Sequence, residues 1–600
     1  MGIKHEETIG PMKLLRTCAV VIPLWLLGAC QTSSPPPLAG VLPQDEPGAS
    51  LPLPPRSGFP TSISTERMSE ITRVLASDEF QGRSMGTAGE EKTIAYLTEQ
   101  FRSAGLEPGG ENGGWTQTVP LIRTKLQSPQ VSVRQGSSAT RLDFPRDVYL
   151  STVRDTQQAS IANAPIVFVG FGVHAPERGW DDYKGVDLKG KIALFLVNDP
   201  DFEAAPGEPV ADKFGGKTMT YYGRWTYKFE EAARRGAIGA IIVHETEGAG
   251  YGWNVVESPG GENFNIVLPP DAQQPVLLQG WIHQAAAEAM LKRAGHDYAA
   301  LKRQARMAAF RPIVLKASLS ASASVELARI TSKNVIGKLM GARYPSETVS
   351  YSGHWDAYGV GAPDAQGRTV RPGAADDALG IAAMIEIARL FAAGPRPERT
   401  LVFAVWTAEE RGLLGSEYYA QHPLFPHETM IANLTLDTLQ WAGPTRDTVL
   451  IGRGQSELER YLEEGARAQG RYVTPEGRPE RGLFYRADHF TLAKRGVPVL
   501  LSMALSGAYD FQNGGRAAGE RWLDAFTTNC YHQTCDAWSP DWDLRGAVQE
   551  ADLYYGIGAR LANSRAWPQW YPGSEFKDVR DKSSNARRPG AQPPPPRERR

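Results

Sequence analysis

Apolar residues along this chain fall into two kinds of block. One kind is a short, nearly continuous run bounded by Gly, Pro or polar clusters: Ala164–Gly172, Lys191–Val197, Ala240–Val243, Asn334–Gly337, Glu347–Gly353, Leu401–Trp406, Thr429–Leu436 and Val497–Ser502. Runs of this kind predict buried strands. The other kind repeats every three or four residues and predicts helices. It covers Ala88–Ala104, where Ile94, Leu97 and Phe101 lie along one face and Gly105 follows, and also Lys228–Gly236, Leu379–Ala393, Glu410–Gln421 and Leu458–Gln469. From Asn334 onward the two kinds alternate. That alternation predicts an α/β domain, a mixed sheet flanked by helices. The helix at 88–104 has no partner strands before a β-rich middle segment, so it is assigned to the later domain and the middle segment is read as an insertion. The expected division is 63–139 and 326–570 for the larger domain and 140–325 for the insert.

The two ends read differently. Lys13 and Arg16 precede an apolar run from Cys18 to Leu27, followed by Gly28-Ala29-Cys30. The run is too short for a mature membrane span and has the length of a signal-peptide core. It resembles a bacterial lipoprotein signal. That implies residues 1–29 as a signal peptide, a lipid on Cys30 as the membrane anchor, and, with Gln31 next, an outer-membrane location facing the periplasm or the cell surface. Residues 30–62 are rich in proline and read as a tether, and 571–600 as a disordered tail. Of the four cysteines, Cys530 and Cys535 are left, close enough in sequence for a disulfide in an oxidising compartment. With 600 residues, two or more domains are expected, and a formal net charge of −2 gives no sign of a nucleic-acid partner.

The candidate chemistry gathers at the ends of the predicted strands, the edge where open α/β sheets place their sites. Glu409 and Glu410 follow the strand 401–406. Adjacent acids on a turn suit two tasks, one holding a metal and the other serving the water that the metal activates. Gly353-His354-Trp355-Asp356 closes another strand, and Asp356, two residues on, is placed to accept a bond from the His354 ring. Asp376 and Asp377 sit in a glycine-bounded turn before a helix, and Asp437 ends the strand 429–436. Cys530-Tyr531-His532-Gln533-Thr534-Cys535-Asp536 supplies a second histidine. Each feature alone has an ordinary explanation as a helix start, a turn or a surface residue. Their coincidence in one α/β region favours a metal site.

In order and context these residues resemble the di-zinc aminopeptidase family, the exopeptidases related to transferrin receptor and glutamate carboxypeptidase. The resemblance covers about 65–135 and 325–570. The middle segment resembles the protease-associated domain that many members carry. The resemblance implies a zinc exopeptidase fold and two zinc ions per chain, with manganese or cobalt as substitutes. Asp376 would bridge the ions, His354 and Asp437 would bind one, and Glu410 and His532 the other. It further implies Glu409 as general base, Asp356 behind His354, Asp536, four residues after His532, as a supporting acid, and a cis peptide after Asp376. Arg486-Ala487-Asp488-His489-Phe490 offers a second Asp-His pair, and His532 is preferred to His489 as the ligand. The expected substrate is a peptide with a free N-terminus. A glutamate carboxypeptidase-like activity, glutaminyl cyclisation, and a receptor that has lost its metals are the alternatives. Tyr221, Tyr222, Arg224 and Trp225 form an aromatic and basic cluster in the insert, read either as part of a substrate pocket or as ordinary packing.

Overall fold

The computed structural model describes residues 62–587, apart from residue 258. The expected signal peptide, the lipid site at Cys30 and all but the last residue of the expected tether lie outside the described residues. Among the described residues no helix is long and apolar enough to cross a membrane.

The main element is a 14-stranded mixed sheet. At one end lie four strands in the order Val499–Ser502, Met430–Leu436, Tyr344–His354 and Arg399–Trp406, each parallel to its neighbour. Every residue of Arg399–Trp406 and of Met430–Leu436 is buried, which explains their largely apolar patterning. Parallel pairing places their C-terminal ends along one edge. His354 is level with Trp406, and Ser352 with Thr435. The helix Leu379–Ala393 packs beneath them with Thr65–Leu75, Ala88–Ser103 and Arg545–Ala562, and Leu97, Phe101, Ile381, Met384, Phe403 and Ile557 share one core.

Three expectations are corrected. The short strand expected at Asn334–Gly337 is the end of a 27-residue strand, Ile313–Leu339. Its alternating small and polar residues suit a strand with one buried and one wet face, a weak apolar signal. The helix expected from Glu410 starts at Leu414. Residues 407–413 form a tight loop, because Ala408 and Leu413 both adopt left-handed backbone, with φ of 54° and 61°. The chain also stays folded past 570. Helix Lys577–Lys582 follows, and buried Arg580 donates to the carbonyls of His427 and Met430.

The middle segment extends the same sheet. Gln158–Gly170, Ile192–Leu196, Gly239–His244, Leu278–His283 and Val148–Ser151 continue the strand order beyond Ile313–Leu339. This segment has two apolar clusters of its own, one around Phe168, Leu194 and Met290, the other around Val169, Phe195 and Trp281.

Candidate metal centre

The site forms where the parallel strands end. Tyr344–His354 delivers His354, the loop after Arg399–Trp406 delivers Glu409 and Glu410, and Met430–Leu436 delivers Asp437. The turn before Leu379–Ala393 delivers Asp376, whose peptide to Asp377 is cis. His532 arrives from the loop 530–535, which the disulfide Cys530–Cys535 closes. The donor atoms form two groups. His354, Asp376 and Asp437 make one, and Asp376, Glu410 and His532 the other, with the atoms in each within 4.8 Å of one another. Asp376 is common to both. Its Oδ1 lies 3.1 Å from His354 Nε2, and its Oδ2 lies 3.2 Å from His532 Nε2. Glu410 Oε2 is 3.3 Å from His532 Nε2, and Asp437 Oδ1 is 3.9 Å from His354 Nε2. Glu409 belongs to neither group, and its Oε2 stops 4.0 Å from His354 Nε2.

The supporting residues explain this placement. His354 Nδ1 lies 3.0 Å from the backbone carbonyl of Asp356. A carbonyl only accepts, so Nδ1 carries the proton and Nε2 offers its lone pair to the site. Here the sequence expectation is corrected, because the Asp356 carboxylate does not hold the ring and is 3.8 Å away. It accepts instead from the backbone N–H groups of Glu409 (2.9 Å) and Glu410 (3.3 Å), and so fixes the loop that carries both acids. Asp536 does the same for the bridging turn, accepting from the N–H groups of Ala375 (2.8 Å) and Asp376 (3.2 Å). Asp377 accepts from the N–H groups of His354 and Thr438, tying two strand ends together. A Cβ on Gly380 would lie 2.0 Å from its Oδ1, and one on Gly353 2.7 Å from its Oδ2. Both glycines therefore make room for this carboxylate. Thr438 and His532 join Ala408 in left-handed backbone, with φ of 53° and 63°. Such backbone costs a non-glycine residue about 1–3 kcal/mol and concentrates at functional sites.

Sequence reasoning missed Arg83. Its buried guanidinium donates to the carbonyls of Trp355 (2.7 Å), Leu75 (2.9 Å), Pro372 (2.6 Å) and Gly373 (2.8 Å). It joins the segment after His354 to the turn before Asp376. Asp488 was seen only as part of an alternative ligand pair. It is buried and accepts from Ser416 Oγ at 2.6 Å, within electrostatic reach of Glu409. His489 is buried, its ring 5.0 Å from that of Phe484, and neither donor group includes it.

The electrostatics call for a cation. Burial alone would keep His354 neutral, yet Glu409, Asp376 and Asp437 push its pKa well above the usual histidine value. Burial would raise Asp376, but hydrogen bonds from both imidazoles hold it below the ordinary carboxylate range. Burial raises Glu409, and the nearby Asp488, Asp437 and Glu410 raise it further. Glu410 is raised by burial and by Asp376. Burial brings Asp488 to about 8 and Asp536 to about 7, against opposing hydrogen bonds. A buried group of carboxylates with so little positive charge is costly unless metal ions complete it. Two imidazole nitrogens with carboxylate oxygens are donors that suit zinc.

Residues 334–556 match the family model described as Peptidase family M28. That span holds every residue of both donor groups. A protein named "Probable zinc metalloprotease" from Pyrenophora teres f. teres (strain 0-1) is 37% identical over 103 residues, 17% of this chain and 22% of that protein. Carboxypeptidase Q of Homo sapiens is 34% identical over 132 residues, 22% of this chain and 25% of that protein. The chain spans about a quarter of the length of these curated relatives. Among solved structures, an aminopeptidase from Aneurinibacillus sp. strain AM-1 aligns with a TM-score of 0.44 and 19% identity, covering 85% of this chain and 95% of that one.

Proposed function

We propose that the chain is a zinc-dependent exopeptidase of family M28 that releases N-terminal residues from peptides. The observation that carries this reading is Asp376 shared between two donor groups, with the unliganded acid Glu409 beside them. In this reading His354, Asp376 and Asp437 hold one zinc ion, and Asp376, Glu410 and His532 hold the second. Bound there, zinc supplies Lewis acidity toward the scissile carbonyl and the attacking water. Glu409 accepts the proton of that water at its carboxylate and returns it to the departing amine. Asp356 keeps Glu409 and Glu410 in register through their backbone N–H groups. Asp536 and Arg83 keep Asp376 turned toward both histidines.

The complete donor set speaks against a binding protein that has lost its metals, because such a protein has no need of six convergent ligating and proton-accepting side chains. We further propose that the chain is exported and anchored by a lipid on Cys30, on the strength of the signal-like run before it. The test of function joins zinc content with a panel of free, N-blocked and C-terminally acidic peptides, assayed with and without chelator. The expected result is near two zinc ions per chain, with N-terminal release lost on chelation and restored by zinc. Less than one ion per chain and no turnover across the panel would overturn the reading.

A further inference from the structure

Three buried polar side chains grip the loop that carries Glu409 and Glu410, and all three come from strands outside it. Asn334 is the central one. It lies on the strand Ile313–Leu339 and is fully buried. Its Oδ1 accepts from the Thr407 N–H at 3.1 Å. Its Nδ2 donates to the Gly415 carbonyl at 2.9 Å and to Gln117 Oε1 at 3.1 Å. A backbone N–H only donates and a carbonyl only accepts, so the main chain fixes which way this amide faces. Gln117 stands opposite Asn334 on the neighbouring strand Thr116–Gln135. Its Nε2 donates to the carbonyl of His422, which closes the helix Leu414–Gln421, at 2.8 Å. Ser332, two residues before Asn334, is the third. Its hydroxyl donates to Glu90 Oε1 at 2.7 Å, so the Thr407 hydroxyl is the donor in its 2.6 Å contact with Ser332.

Thr407 and Gly415 are the two ends of the loop, and the Gly415 N–H donates to the Thr407 carbonyl at 2.9 Å. Between them Ala408 and Leu413 hold left-handed backbone, which persists in such residues only where the surroundings impose it. A Cβ on Gly415 would lie 2.3 Å from the Thr407 carbonyl oxygen and 2.5 Å from Asn334 Oδ1. Glycine is therefore required for the amide to bind both ends at once. A buried asparagine must find partners somewhere, and the strands beside it could supply them. Asn334 instead directs two of these three bonds to the loop. Asp356 holds the N–H groups of the two acids themselves, whereas Asn334 holds the base on which they stand.

We propose that Asn334 is a positioning residue for the reaction: its amide staples the two ends of the loop 407–415 and so sets where Glu409 and Glu410 stand against the two donor groups. This inference rests on the peptidase reading given above. Its consequence is selective. Glu409 and Glu410 ride on the loop, but His354, Asp376 and Asp437 do not. Loosening the staple therefore reaches the proton acceptor and one metal group and leaves the other metal group alone.

The test compares the full chain with its Asn334→Ala and Gln117→Met variants. Asn433→Ala is the control for lost stability, because it removes another fully buried amide of the same sheet, one that donates to Ser350 and Ser352. Asn334→Ala is expected to lower kcat by about 10–100-fold with KM near the wild-type value. In competition with a chelator, the affinity for one of the two zinc ions should fall about tenfold or more, and the other should hold. Hydrogen exchange of the metal-free chain should quicken about tenfold within residues 407–422 and stay unchanged in 348–354. Gln117→Met removes only the outer bonds and should move the same readouts in the same direction by less. Asn433→Ala should lower the thermal midpoint without this pattern. Unchanged exchange in 407–422, a fall in both zinc affinities together, or the same pattern in Asn433→Ala would overturn the proposal. If Asn334→Ala does not fold, Gln117→Met is judged by the same criteria. If wild type binds no zinc and cleaves no peptide, the peptidase reading fails. The exchange comparison still decides the role of Asn334: quickening confined to 407–422 supports the staple, and equal exchange refutes it.

Discussion

At the scale of the residue, position alone separates the adjacent acids Glu409 and Glu410. Glu410 points at His532 and Asp376, whereas Glu409 stands outside both donor groups. Glu409→Gln is therefore expected to lower kcat by about 10²–10⁴-fold, the range for a general base, while bound zinc stays at the wild-type level. Glu410→Gln and His532→Ala are expected to lose zinc as well as activity. Elemental analysis beside the kinetics separates the two cases, and a Glu409→Gln protein that has lost its zinc would show the roles to be misassigned. His489 supports a prediction of another kind. Burial pushes its imidazole down to about 3, from 6.5, against a weaker backbone contact at Phe484. A base with a depressed folded pKa adds stability that is present above the unfolded value and lost as the pH falls toward the folded one. His489→Leu should therefore gain stability relative to wild type as the pH falls below 6.5. Urea unfolding of both proteins at several pH values measures this, and parallel curves would refute it.

At the scale of the element, the site depends on loops fixed by carboxylates and by one guanidinium. The Asp356 carboxylate fixes the loop 407–413 by accepting from two backbone N–H groups. Asp356→Asn turns an amide N–H₂ toward one of those donors. It should lower kcat by about 10–100-fold, the usual cost of losing support behind a metal site. Zinc should remain, because His354 keeps its bond to the backbone carbonyl of Asp356. Arg83→Met leaves four buried carbonyls without this donor, at about 1–3 kcal/mol for each one that finds no substitute. The thermal midpoint and the zinc affinity should fall together, and a variant with wild-type values of both would remove Arg83 from the site's support. The residues that the structure gathers into the two donor groups were legible in the sequence, because strand ends and strand-to-helix turns leave a pattern of apolar runs closed by acids. The support was less so. Arg83 meets the carbonyls of Trp355, Pro372 and Gly373 some 270–290 residues away, and no local pattern records such a contact. The two bonds accepted by Asp356 also cross 53 and 54 residues of chain. The loop at 407–413 passed for a helix start because acids favour helix N-termini as readily as they favour metals.

At the scale of the whole molecule, the sheet does not stop where the sequence places the insert. Ile313–Leu339 pairs with Arg399–Trp406 through Val335–Leu339 and with Gln158–Gly170 through Ile313–Ser324. Along much of the same strand it also pairs with Thr116–Gln135, from Ser318 against Arg134 to Val335 against Thr116. Composition marks a boundary near 325, because the apolar patterning changes there, yet the pairing with Thr116–Gln135 continues across it, with one irregularity between Ser322 and Ser324. Opening the insert would thus expose the edge of a strand on which the main part also depends. The bond from the Met219 N–H to the Pro479 carbonyl, at 3.1 Å, adds a second connection between the two regions. The described residues also belong to one compact unit. Heating the zinc-loaded chain is therefore expected to give a single calorimetric transition, with van't Hoff and calorimetric enthalpies in agreement. A ligand bound only by the folded state shifts that state's whole equilibrium, so chelation should move the entire transition to lower temperature. Two transitions, of which chelator moves only one, would show that the insert unfolds independently and that the shared strand does not couple it to the metal centre.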